Sequence, residues 1–186
     1  FIWIPRPSWV KLGRRTSAGS AALSTMQPKG VLAMYMDLNC DMGESFGAYK
    51  IGRDEKVMAH VHMANIACGA HAGDPMVMEK TVALAVKYGV TIGAHPGYPD
   101  VQGFGRRTID YTEDEVRTMI IYQTGALAAF CMAAGARLGY VKPHGSLYNT
   151  MMVDEVVLHA VFQAVASYDA GIPVMIQATP RWQRHE

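Results

Sequence analysis

The chain has 186 residues, half of them hydrophobic, enough for one domain with a sizeable core. Its formal net charge of +1 conceals an asymmetry: residues 1–36 carry five basic side chains (Arg6, Lys11, Arg14, Arg15, Lys29) and no acid, and the rest carries twelve basic against sixteen acidic residues. A mildly acidic body argues against a nucleic-acid partner, and no apolar run approaches the roughly 18 residues that span a membrane.

Residues 1–33 are Ser-rich, contain Arg and lack acid, as a mitochondrial transit peptide would. Pro5, Pro7, Lys11, Arg14 and Arg15 interrupt any secretory apolar segment. Because the chain opens on Phe1, residues 1–33 are expected to be upstream or non-native sequence, with a natural start near Met34 or Met36 and one domain over 34–186. Cys40, Cys68 and Cys131 have no CxxC spacing, which points to free thiols in a reducing, cytoplasmic compartment. Cys131 is expected in the core, and Cys40 and Cys68 as small buried packing rather than as nucleophiles.

A first strand is predicted over Met34–Asn39, and Asp54 reads as the N-cap of a helix over Glu55–Met63. Ala64–Ala67 reads as a second strand. Asp74-Pro75 is a strong helix start, an N-cap acid followed by Pro at the first helical position. Met76, Val77, Thr81, Leu84 and Ala85 then recur at helical spacing, and Gly89 supplies the stop. A third strand follows at Val90–Ala94, and then a Gly- and Pro-rich loop over Pro96–Arg107 that is too long for a minimal turn and so reads as functional. Thr112 and Glu115 form a capping box that opens the longest helix, Glu113–Ala134, closed by Gly135. Tyr140–Lys142 is a fourth strand, Val153–Tyr168 a helix and Pro173–Gln177 a fifth strand. Strand alternating with helix argues an α/β fold with a parallel sheet, and decorated loops after each strand resemble a (β/α) barrel of the TIM type. A closed barrel needs about eight strands and roughly 250 residues, so the barrel is expected to be incomplete at its C-terminal side.

Four polar clusters fall where these strands end: Asp37–Glu44, Cys68–Asp74, Gly93–Asp100 and Lys142–Gly145. Ends of parallel strands open on one face, the face that carries chemistry in such folds. Alternation puts Asp37, Asn39 and Asp41 on one side of an extended strand, a set suited to metal binding or acid/base work, with Glu44 beside it. His71 and His95 are strand-end histidines in the same register. Asp74 reads first as a helix cap, at a helix N-terminus that favours an anionic group. Arg106 and Arg107 suit a carboxylate or phosphate. Lys142 and His144, two apart, suit an oxyanion stabiliser and a proton shuttle. His60, His62, His159 and His185 are assigned no role, and neither a P-loop, a GxGxxG turn after the first strand nor a GxSxG elbow is present.

The strings DLNCDMGESFG (37–47), ANIACGAHAGDP (64–75), IGAHPGYPDVQGFGRR (92–107), YQTGAL (122–127), VKPHGSLYN (141–149) and QATP (177–180) resemble, in order, the LamB/YcsF family, the A-subunit type of ATP-dependent 5-oxoprolinase. Ala70 departs from an expected aromatic residue, and the chain is shorter than the family's usual length. The resemblance implies a barrel related to the deacetylase and glycosidase-like barrels. It also implies opening of the lactam of 5-oxoproline to glutamate with ATP hydrolysis, alongside partner subunits B and C. On that footing Asp41, His71, His95, His144 and Lys142 are the expected catalytic set, and Asn39, Glu44, Asp74 and Arg107 the expected substrate-binding residues. ATP is the implied cofactor, bound in some way other than a P-loop or mainly by a partner, with a site that partner subunits could share. Asp41, His71 and His95 are the candidate ligands of a divalent metal. A metal-dependent amidase or deacetylase acting alone, and a non-catalytic scaffold protein, are the competing readings.

Overall fold

The computed structural model describes residues 36–178. Residues 1–33, the start of the predicted first strand, Thr179-Pro180 and His185 lie outside the described residues. Four parallel strands form one sheet in sequential order: β1 (Asn39–Met42), β2 (Met63–Ala67), β3 (Thr91–His95) and β4 (Leu138–Val141). The helices are α1 (Asp54–Val57), α2 (Pro75–Tyr88), α3 (Glu113–Ala133), α4 (Gly145–Met151) and α5 (Glu155–Asp169), with a 3-10 turn at Met58–His60. Parallel neighbours need a crossover between them, and α2 and α3 occupy two of the crossovers. After β4 the chain returns through α4 and α5 to lay Val174 against Val141, with Val141 N–H donating to Pro173 O and Met175 N–H to Val141 O. The predicted fifth strand is therefore a bridge in the right place rather than a full strand, and the sheet of this TIM-like α/β arrangement is open within the described residues.

Alternation divides the sheet into two faces. Ala64, Ile66, Ile92, Ala94 and Val141 belong to the apolar core, with Val82 and Ala85 of α2, Ile120 and Leu127 of α3, and Val161 and Val165 of α5. The other face carries Asp41, Asn65, Gly93 and Tyr140, which share one row of the strand register. Contrary to the expectation that no apolar run approaches a membrane-spanning length, α3, at 21 residues, is long and apolar enough to cross a membrane by length and composition. Its buried stripe of Val116, Ile120, Leu127 and Cys131 lies in the core, and its partners are α5 and the sheet.

Several boundaries differ from expectation. β1 runs Asn39–Met42, starting where the predicted strand was expected to end, so Asp41 lies within the strand and not beyond it. Asp54 is the first residue of α1 and not its cap; its carboxylate instead accepts from Gly43 N–H at 2.8 Å, tying the loop after β1 to the helix. In α2 the buried positions are Met78, Thr81, Val82 and Ala85, and Met76 is exposed. The capping box of Thr112 and Glu115 forms as predicted. α4 was not anticipated: Gly145 begins it at φ 54°, and a Cβ there would stand 2.5 Å from Gly105 O.

Candidate functional site

The strand ends converge on a network rooted in the buried row of the sheet. Gly93 has no side chain, and a Cβ there would lie 2.2 Å from the Tyr140 ring. The missing atom lets the tyrosine of β4 lie across β3, and its hydroxyl donates to Asn65 Oδ1 of β2 at 2.6 Å. Burial holds the phenol protonated far above its ordinary range, with the Asp41 charge adding to the effect, so the donor is fixed. Asn65 Nδ2 in turn donates to Asn39 Oδ1 at 2.9 Å and Asp41 Oδ1 at 2.7 Å. The shared face predicted for Asn39 and Asp41 is thus present, and Asn65 organises it. Asp37 lies outside this network, exposed, 3.8 Å from His62.

Asp41 also receives Lys142 Nζ at 2.7 Å and faces His95 Nε2 at 3.4 Å. Burial alone would raise its pKa, but hydrogen bonding and charge from His95 and Lys142 outweigh that and hold the carboxyl well below the usual carboxylate range. It stays ionised, and the 38% of its side chain that is open to solvent favours the same state.

Three imidazoles lie beside this pair. His95 ends β3, His71 comes from the loop after β2, and His144 precedes α4; all three are buried. The His71 and His144 rings stack at 3.6 Å, and the His95 ring meets both edge-on. Glu44, turned inward by the loop after β1, sets Oε1 at 3.6 Å from His71 Nε2 and 3.9 Å from His144 Nδ1. Burial lowers the His71 pKa to about 3, with the His95 charge adding to it, and lowers that of His144 to about 4, where His71 and His95 add to it. Burial raises that of Glu44. One donor atom from each of Glu44, His71, His95 and His144 lies within 4.8 Å of the others, an arrangement that can hold a metal ion. The expected metal set of Asp41, His71 and His95 is thereby altered: Asp41 is engaged by Lys142 and Asn65, and Glu44 and His144 join the two predicted histidines.

The long loop after β3 roofs the cluster. Phe104 sits at φ 55° and puts its ring edge-on to His71 and His144, while its carbonyl accepts from His144 Nε2 at 2.8 Å. Gly97 and Gly105 are compulsory there, because a Cβ on either would come within 2.7 Å of His71. Buried Gln123 of α3 clamps the loop, accepting from Gly97 N–H at 3.0 Å and donating to Gly97 O at 2.8 Å. Asp100 pins the far side by accepting from Gly103 N–H and from the Arg107 guanidinium. Arg107 is consequently a loop clamp with an exposed side chain, and its neighbour Arg106 is the arginine whose charge bears on Glu44. Asp74 accepts from Val77 N–H at 2.9 Å and Gly47 N–H at 2.8 Å, so its carboxylate caps α2 and anchors a loop.

Sequence reasoning left Asn65, Tyr140, Gln123 and Phe104 without roles. A polar residue inside the apolar run Met63–Ala67 was the signal that could have found Asn65, and the YQTGAL string already contained Gln123. The cysteines are unsuited to attack: burial raises all three, with Cys68 pushed up to about 12 and Cys131 to about 11.

A family model described as the LamB/YcsF family matches residues 36–185. The chain is 56% identical over 142 residues to a 5-oxoprolinase A subunit of Pseudomonas putida, the one numbered 2, covering 76% of this chain and 55% of that protein. It is 57% identical over 150 residues to the 5-oxoprolinase A subunit of Vibrio campbellii, covering 81% of this chain and 59% of that protein. The crystal structure of the lactam utilization protein from Thermus thermophilus superposes with a TM-score of 0.78 at 42% identity, covering 81% of this chain and 61% of that one. The chain thus spans little over half the length of the curated relatives it matches. The family match over residues 36–185, together with this shared fold, establishes that the chain belongs to the LamB/YcsF family.

Proposed function

We propose that this chain supplies the acid/base side of an ATP-dependent hydrolase that opens the lactam of 5-oxo-L-proline to L-glutamate, working in the cytoplasm with partner subunits B and C. The observation that carries the reading is the contiguous array of Asp41, Lys142, His95 and His144 at one end of a parallel sheet, under a roofing loop. Relatives named as A subunits of 5-oxoprolinase support the choice of bond.

A lactam is a stable amide and needs activation. Phosphorylation of its oxygen by ATP makes the ring carbon electrophilic and releases ADP. Water adds there, the C–N bond breaks with the water's protons passing to nitrogen, and a second water hydrolyses the resulting acyl phosphate to carboxylate and phosphate. His95 and His144 are placed to relay those protons, with Asp41 orienting His95. Lys142 is placed to hold the substrate carboxylate or the developing oxyanion, with Asn39 and Glu44 lining the pocket. The sequence has no P-loop, so ATP is assigned mainly to a partner.

A second reading, an amidase that uses a metal and no ATP, draws on the grouping of Glu44 with three histidines. Turnover of 5-oxoproline by the full-length protein, with and without ATP and with and without the partner subunits, separates them. Cleavage that requires both ATP and partners supports the first reading. Cleavage by this protein alone without ATP supports the second. Full turnover by His71→Ala and His95→Ala proteins would reduce this chain to a scaffold.

A further inference from the structure

The hydrogen-bond directions in the histidine cluster determine which nitrogens carry protons. A carbonyl oxygen only accepts. His95 Nδ1 lies 2.5 Å from Lys142 O, so that nitrogen carries a hydrogen, and a ring without a second proton leaves Nε2 a bare lone pair that also stands 3.4 Å from Asp41 Oδ1. His144 Nε2 lies 2.8 Å from Phe104 O, so the hydrogen is there and Nδ1 is bare. The two bare nitrogens, His95 Nε2 and His144 Nδ1, face each other at 3.0 Å, in the buried interior. Two lone pairs at hydrogen-bond distance repel unless a cation lies between or beside them.

The surroundings ask for the same thing. Among the described residues, five buried side-chain nitrogen or oxygen atoms lack a hydrogen-bond partner, and three of them belong to this cluster: Glu44 Oε1, His71 Nδ1 and His71 Nε2. Leaving each such atom unsatisfied costs on the order of 1–3 kcal/mol. Ligands at about 2.0–2.1 Å around a tetrahedral ion stand about 3.3 Å apart. Three of the six separations, 3.0 Å between His95 and His144, 3.6 Å between His71 and Glu44 and 3.9 Å between His144 and Glu44, bracket that spacing, and all lie within 4.8 Å.

We propose that Glu44, His71, His95 and His144 form a binding site for one divalent transition ion of the zinc class. Three imidazoles and one carboxylate suit zinc, cobalt or nickel, whereas magnesium, the usual companion of ATP, prefers oxygen donors and keeps its waters. The site is therefore distinct from any magnesium that arrives with the nucleotide. The backbone carbonyls of Lys142 and Phe104 act as the outer partners that fix the tautomers of two ligands, the usual support for metal-bound histidine. Parallel rings 3.6 Å apart direct their lone pairs side by side, so loading tilts His71 and His144 out of their stack. The inference concerns the strand-end site and leaves the choice of bond open, but an ion on His95 Nε2 and His144 Nδ1 takes the place of the proton relay between those two nitrogens, so the relay and the loaded site are alternatives.

The test uses the chain alone, without ATP, substrate or partners. Metal-stripped protein is titrated with zinc or cobalt in excess magnesium, following stoichiometry by elemental analysis, the visible band of tetrahedral cobalt, and imidazole nitrogen NMR. The expected result is one ion per chain, a tetrahedral cobalt spectrum, and movement of His95 Nε2 and His144 Nδ1 resonances while His95 Nδ1 and His144 Nε2 keep their protons. His71→Ala and His144→Ala are expected to weaken binding by more than the roughly 10–100-fold that loss of an outer partner costs, and exposed His159→Ala to leave it unchanged. A folded wild-type chain that takes up no transition ion, or NMR showing a proton shared between His95 and His144 that zinc does not displace, overturns the proposal. The NMR readout needs no variant to fold. Absence of lactam turnover by a chain that binds one ion would count against the proposed reaction and leave the site intact.

Discussion

The Tyr140–Asn65 hydrogen bond offers the sharpest test of how this site is held. Tyr140→Phe keeps the ring that lies over Gly93 and removes only the hydroxyl that donates to Asn65 Oδ1 at 2.6 Å. Both residues are buried, with 1% and 0% of their surface exposed, so water does not replace the lost donor. An orphaned buried acceptor costs about 1–3 kcal/mol, and the middle of that range, about 2 kcal/mol, is roughly a thirtyfold change in the folding equilibrium. Urea denaturation of wild type and variant measures it, with a lowered midpoint at unchanged slope as the expected outcome. A double-mutant cycle adds specificity. In an Asn65→Ala background there is no acceptor to orphan, so the same Tyr140→Phe change is expected to cost well under half as much. Equal costs in the two backgrounds would refute the view that Asn65 links Tyr140 to Asp41, and would mean that the hydroxyl acts through ring packing alone.

The roofing loop makes its own predictions. Gly97→Ala places a Cβ 2.7 Å from His71 Nδ1 and is expected to lower stability by roughly 1–3 kcal/mol through overpacking. Gly125→Ala, on α3 with nothing within 4 Å, is expected to raise it by about 0.8–1 kcal/mol from helix propensity; thermal midpoints of the pair read both signs. Hydrogen bonding from the Arg107 guanidinium holds the Asp100 carboxyl down at about 2, so its contribution is complete above the ordinary unfolded value of about 3.9 and fades as pH falls from there toward about 2. Amide exchange at Gly103, whose N–H bonds the Asp100 carboxylate, is expected to gain protection across that window as pH rises, with Gly105, whose N–H bonds the Asp100 backbone carbonyl, following more weakly, and Asp100→Asn to abolish the change. In the folded chain, iodoacetamide near neutral pH is expected to modify half-buried Cys40 first, and only slowly, and to spare buried Cys68 and Cys131; mass spectrometry showing Cys68 labelled first would contradict the packing described.

The parts of the molecule that were legible in sequence are those set by local rules. Asp74-Pro75, the Thr112–Glu115 capping box and Gly89 at φ 65° each mark a helix end through one hydrogen bond or one backbone angle, and each is present. His95 was legible as the last residue of β3, opposite Ala67, whereas His71 and His144 lie in the loops after β2 and β4 and reach the same end of the sheet from there. What escaped is decided across the sheet. Arg106 and Arg107 are adjacent and chemically alike, and Asp100, seven residues before Arg107, draws that arginine away from the cluster. The exchange of Asp41 for Glu44 in the proposed ion-binding group has the same origin. Asp41 pairs with Asn65 and Lys142 because register sets it opposite Asn65 and Lys142 directly follows the last residue of β4; that occupies a carboxylate which spacing alone would offer to a metal. Glu44 lies two residues beyond the end of β1, and its inward turn accompanies Gly43 at φ 68°, where a Cβ would stand 3.1 Å from Thr81 Oγ1 and 3.2 Å from Ile66 Cγ2. A bulkier residue at 43 is therefore expected to turn Glu44 away and to weaken the site without touching a ligand. In this fold the placement of charge is governed by glycines as much as by the charged residues themselves.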